Sequence, residues 1–140
     1  MRRVILASGL AAIAALILAV PAFGISRLHF SVLAITRSQH PGPHGTFVFR
    51  DRLFFHHRRV GHDLGRCRRR TRTRLHCRVV FVFPPGNIKA VGRIRFGRHG
   101  LRDNKLPIVG GTRAFNGVGG KLLIHGIRGR RTRLEFFLVG

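Results

Sequence analysis

Residues 107–124 read PIVGGTRAFNGVGGKLLI, with glycines at 110, 111, 117, 119 and 120 around one aromatic residue, Phe115. Three structures use glycine this densely: a phosphate-cradling loop, a dinucleotide fingerprint, or the corner of a β-sheet. A phosphate loop needs Gly-x-x-x-x-Gly-Lys followed by Ser or Thr. Here Gly120-Lys121 is followed by Leu122, and Phe115 stands where the first glycine belongs. A dinucleotide site needs a helix behind the glycines, its N-terminus facing the pyrophosphate. The residues that follow, KLLIHGI, read as strand instead. Sheet geometry remains: glycine supplies positive φ at bends and lets backbones approach closely, and Phe115 among them reads as an apolar plug.

The rest of the chain agrees. Short β-like runs at 46–55, 59–70, 75–83, 88–96, 107–109, 121–127 and 131–139 are separated by turn signals such as FPPGN (83–87) and GRHGLRDNKLP (97–107). No apolar stripe of helical period and no capping box interrupts them. Within 75–83 the odd positions Leu75, Cys77, Val79, Phe81 and Phe83 are apolar. Within 88–96 the dry face is Ile88, Ala90, Gly92, Ile94 and Phe96, and within 131–139 it is Leu134, Phe136 and Leu138. The opposite faces carry arginine and lysine. Such alternation belongs to antiparallel strands with one face dry and one wet, and the fold class expected is all-β.

PIVGGTRAFNGVGG resembles the P-I-x-G-G-T-G-x-F/Y-x-G-A-x-G hallmark of the allene oxide cyclase and dirigent superfamily, on Gly110, Gly111, Thr112, Phe115, Gly117 and Gly120. FVFRDRLF (47–54), VGHDLGRC (60–67), CRVVFVFPPGNIKAVG (77–92) and RLEFFLV (133–139) follow the family's strand order, so the likeness spans nearly all of 45–139. Arg113 departs from it, standing where the family has glycine and implying a strained or rebuilt turn; Val118 replaces alanine. The resemblance implies a closed, eight-stranded antiparallel barrel over 45–140, a homotrimer, an apolar pocket, and no metal or redox cofactor. It also implies action by positioning a small apolar or phenolic ligand. Binding without catalysis is the expected activity, and isomerisation is the reaction class if there is one.

Asp51 shares parity with Phe47, Phe49 and Leu53, which puts its carboxylate on the apolar face of the first family strand. A carboxyl near a barrel mouth has its pKa raised and can serve as acid or base; the competing reading is a strand-end salt bridge to arginine. Asp63 is expected in a structural salt bridge, and Glu135 faces outward. Tyr and Trp are absent, so the pocket wall is expected from Phe47, Phe49, Val79, Phe81, Ile94, Phe96, Phe136 and Leu138, or these side chains simply fill the barrel. The nine histidines show no ligand spacing, and no metal site is expected. All four serines precede the expected barrel over 45–140, so no serine triad is expected within it.

Arg2 and Arg3, an uncharged run over 4–20, and Val20-Pro21-Ala22 form the pattern of a secretory signal peptide over 1–22. A helix is expected there, then a flexible lead-in over 23–44, then the barrel, in an extracytoplasmic location. Two cysteines suit that compartment. Cys67 and Cys77 either form a disulfide, if the chain reverses near Arg72, or remain buried thiols. The formal charge is +23, from 27 Lys and Arg against four acids. Arg68, Arg69, Arg70, Arg72 and Arg74 crowd one hairpin tip, which offers a second function: binding an anionic cell-envelope polymer or lipid surface. The secretory leader argues against a specific nucleic-acid partner. Native mass spectrometry of the exported protein is expected to show a chain beginning at Phe23; a full-length mass would make the leader an anchor.

Overall fold

The computed structural model describes residues 26–98 and 100–140, so the expected signal helix over 1–22 lies outside the described residues. Among these the chain is almost entirely strand: β1 (Arg27–Pro41), β2 (Thr46–Phe55), β3 (Arg58–Arg69), β4 (Arg74–Phe83), β5 (Gly86–Gly97), a two-residue β6 (Gly100–Leu101), β7 (Asn104–Gly111), β8 (Gly119–Gly126) and β9 (Arg131–Val139). Single 3-10 turns lie at Pro43–Gly45 and Arg113–Phe115.

All pairings are antiparallel, and they close. Following hydrogen bonds, the order is β1–β2–β3–β4–β5–β7–β8–β9 and back to β1, an eight-stranded barrel with β6 riding on the end of β5. Closure gives each of the eight strands a neighbour on both sides, and a barrel of this size has an interior just wide enough for side chains or one small ligand. The expected alternation holds: Leu75, Cys77, Val79, Phe81 and Phe83 of β4, Ile88, Ala90 and Ile94 of β5, and Leu134, Phe136 and Leu138 of β9 are all buried.

The lead-in is the main correction. Residues 27–41, expected to be flexible, form β1, which bonds to β2 on one side and β9 on the other. Leu28, Phe30, Val32 and Ala34 alternate inward and join the core. Arg27, His29 and Ser31 have the opposite parity and face outward, giving the segment its polar look.

Among the described residues three turns place a non-glycine residue at positive φ, the first at His44 between β1 and β2, with φ of 58°. The β2–β3 connection is a two-residue loop, His56-His57, with φ of 46° and 64° between the paired Phe55 and Arg58. The type I′ turn, whose twist matches that of the flanking strands, needs both central residues left-handed. Arg113, the residue that departs from the family's glycine, sits at φ 51°. At the β8–β9 wall the glycine is obligatory: Gly120 has φ +121°, and a Cβ there would drive into the carbonyl oxygen of Phe137. Replacing His56-His57 by Asn-Gly is expected to raise unfolding stability by about 0.5–1.5 kcal/mol, measured by denaturant titration, because the turn conformation becomes unstrained.

Candidate functional site

The barrel's two ends differ. At one, the segment after β7 folds across the opening. Thr112 N–H donates to the Asn87 carbonyl at 2.9 Å and Ala114 N–H to that of Pro85 at 3.2 Å, while Asn87 N–H donates to the Thr112 hydroxyl at 3.1 Å. This pins Phe115 inside, with 0% of it exposed. Its ring meets Phe83 at 6.4 Å, and Phe83 meets Phe136 at 5.9 Å. Phe136 stacks on Phe30 at 4.8 Å. That end is solid with phenyl rings. Hence Phe136 and Leu138, expected on the pocket wall, belong to the plug: they point inward as their parity requires, but they lie at the filled end.

The other end is open. A cavity of about 670 Å³ runs in from it. Phe47, Phe49, Val79, Phe81, Ile94 and Phe96 line it, joined by Leu75, Ile124 and Leu134. Thr36, Ser38 and Thr132 add hydroxyls, and exposed Arg37, His40 and Arg130 stand around the mouth. One glycine shapes the wall. Gly65 lies directly across from Phe49, and a Cβ there would occupy the Phe49 ring.

Cys67 and Cys77 are paired across β3 and β4 as a disulfide, so neither is a free thiol. The bridge faces inward and forms part of the cavity wall. Among the described residues no group of three or more metal-binding side chains occurs.

The cavity's polar feature is a carboxyl pair. Asp51 of β2 and Asp63 of β3 are in direct register. Both point inward, so neither forms the arginine salt bridge that sequence position suggested for each. Arg50 and Arg52, which flank Asp51 in sequence, have the opposite parity. Asp63 is 2% exposed. It accepts from Asp51 N–H at 3.1 Å, and the two carboxyls share a hydrogen bond. Two bare carboxylates this close in an apolar site repel strongly, so the pair retains a proton. Burial, then the facing Asp51 charge and its hydrogen bond, pushes the Asp63 carboxyl up to about 9. Burial also raises Asp51, against the opposing effect of hydrogen bonds from Asp63 and Thr36. Asp51 Oδ1 is buried with no protein partner, and an orphaned buried acceptor invites a ligand donor. The parity of Asp51 was readable from the sequence; that its cross-strand partner on the same face is Asp63 was not, because it depends on the β2–β3 register.

No protein-family model matches the chain, and no curated protein matches it. Solved structures do. A pyocyanin demethylase is similar with a TM-score of 0.68 at 21% identity, over 80% of this chain and 100% of that one. A pterocarpan synthase dirigent protein is similar with a TM-score of 0.63 at 14% identity, over 81% of this chain and 86% of that one. The fold is therefore that of the dirigent and allene-oxide-cyclase-like barrels, as the glycine segment implied.

The buried acid has a measurable signature. An unperturbed aspartate titrates near 3.8, so between about pH 4 and pH 9 the native state holds a proton at Asp63 that the unfolded chain has lost. Its contribution to stability is fully present at low pH and declines as pH rises through that window. Asp63→Asn is expected to remove this decline and to exceed the wild type by about 1–3 kcal/mol at pH 8, with little difference at pH 4. Urea unfolding of both chains across the range checks it.

Proposed function

We propose that this barrel, with the fold of the dirigent and allene-oxide-cyclase-like proteins, binds one small aromatic or phenolic molecule outside the cytoplasm and acts on it by positioning. The observation that carries the reading is the open cavity of about 670 Å³ with phenyl walls and an unpartnered carboxyl oxygen on Asp51. That volume lies within the range of small-molecule sites, which are mostly apolar with a few directing polar groups. Phe47, Phe49, Phe81 and Phe96 supply ring faces for stacking. The names of the two structural neighbours, a pyocyanin demethylase and a pterocarpan synthase dirigent protein, support a ligand of this kind. An inward disulfide and the leader-like N-terminus support an extracytoplasmic location.

The carboxyl pair defines the chemistry such a ligand would meet. The Asp51 carboxyl, on the cavity wall, accepts a hydrogen bond from a ligand hydroxyl and so fixes its orientation. The proton shared with Asp63 gives the site both an acid and a base within one hydrogen bond. Delivering that proton at one ligand atom while the pair takes another from a second atom is an isomerisation: nothing is gained, lost, oxidised or reduced. Positioning is the primary role, and a proton shift is the one reaction the pair performs without a further reactant.

Binding can be read directly, because the protein contains neither Trp nor Tyr to obscure a fluorescent probe. With 2-naphthol as probe, saturable one-site binding is expected. Asp51→Asn should weaken it about tenfold by removing a charged acceptor, and Val79→Phe should abolish it by filling the cavity. Equal naphthol affinity in the wild type and the Val79→Phe chain would sink the reading.

A further inference from the structure

The outer surface holds a second concavity, independent of the barrel interior. Arg74 of β4 and Arg95 of β5 are directly opposite each other in the ladder, and His76 is opposite Arg93. Arg93 and Arg95 share the outer face of β5, and Lys105 approaches from β7. Together with Asp103 and Asn104 they enclose a cleft of about 420 Å³. All four cations are exposed. Among the described residues none of the four takes part in an ion pair. The rim carboxylate, Asp103, instead lies 3.4 Å from His125 Nδ1.

The cleft exists because one ladder fails. β5 pairs with β7 only through Ile88, Lys89 and Ala90. Beyond that the regular pairing lapses although Gly92 still lies against Leu106 and Pro107, and the Asn104 side chain takes the place of the missing peptide group. Its Oδ1 accepts from Arg95 N–H at 2.8 Å, and its Nδ2 donates to the carbonyls of Arg95 at 3.1 Å and Arg102 at 2.5 Å. The Arg95 backbone is thereby fixed through both its N–H and its carbonyl, with Arg93 and Arg74 beside it. Like charges directly opposite on a sheet are unfavourable. The sequence could have supplied a carboxylate to relieve them, yet two of its four acids are turned into the barrel.

We propose that this cleft is a binding site for a soluble, multiply charged phosphate chain: diphosphate, triphosphate or a longer linear phosphate. Guanidinium forks bond phosphate oxygens in pairs. Four converging cations against one diverted carboxylate suit several negative charges rather than one. The site differs from the Arg68–Arg72 tip in kind. Arg70 and Arg72 lie in the turn itself, with Arg68 and Arg69 at the end of β3 beside it, whereas Arg74, at the start of β4, joins cations of β5 and β7 around a shared hollow.

The test is isothermal titration with inorganic tripolyphosphate. Arg93→Gln/Arg95→Gln is expected to lose at least tenfold in affinity, while Arg69→Gln/Arg70→Gln, which removes the same charge from the tip, loses less than twofold. Equal losses would reduce the site to diffuse attraction by a basic surface and overturn the proposal, as would no loss in either. Nitrogen-15 NMR of the wild-type chain gives a second readout that does not depend on how a variant folds. The Nε–Hε signals of Arg93 and Arg95 and the Asn104 side-chain amide should shift ahead of those of Arg69 and Arg70; uniform shifts overturn it. Vesicles containing phosphatidic acid that occupy the cleft at lower phosphate concentration than tripolyphosphate would overturn the soluble source.

Discussion

Strand β1 bonds along both of its sides, to β2 through Leu33–Pro41 and to β9 through Arg27–Ile35. Without it, β2 and β9 would be free edges of an open sheet, and the inner faces of seven strands would have no ring to line. Closure turns alternation into an inside and an outside, and it forces every inward residue to meet its counterparts across a narrow lumen. The cavity, the carboxyl pair and the cationic exterior are all consequences of that one double pairing.

Within the ring, filling is uneven. The glycine-dense segment after β7 crosses one end and seats Phe115 beneath Phe83, so phenyl rings pack there without leaving space. At the far end the inward residues are interrupted by small or polar ones: Thr36, Asp51, Asp63, Gly65 and Thr132. They cannot fill the lumen, and the cavity is the volume they leave. The Cys67–Cys77 bridge ties together two of the strands that form its wall.

Charge is sorted by the same wall. Two of the four acids, Asp51 and Asp63, face each other inside, where burial keeps a proton on the pair. The other two, Asp103 and Glu135, lie outside and both approach His125. Arginines on the outer faces of β3, β4 and β5 are left opposite one another, Arg66 against Arg78 and Arg74 against Arg95. A formal charge of +23 thus becomes a directional property, carried by the outer face while half of the acids are held within.

Local pattern alone determined a good deal. Period-two alternation in residues 75–83, 88–96 and 131–139 identified the dry face of three strands. The ten-residue spacing of Cys67 and Cys77 allowed a bridge only across a reversal, and the glycine segment pointed to this fold rather than to a nucleotide loop. These features were legible because each depends on residues close together in the chain. What tertiary structure alone decided depends on residues far apart. The alternation of Leu28, Phe30, Val32 and Ala34 was present, but its strand identity rests on partners about a hundred residues later. Phe136 and Leu138 were correctly inward, yet only their depth along the barrel separates plug from pocket. The inward position of Asp63 comes from its register opposite Asp51 in the β2–β3 ladder, and the phosphate-sized cleft from a lapse in the β5–β7 ladder. Parity says which side of the wall a residue takes; register and closure say which end it occupies and whom it meets.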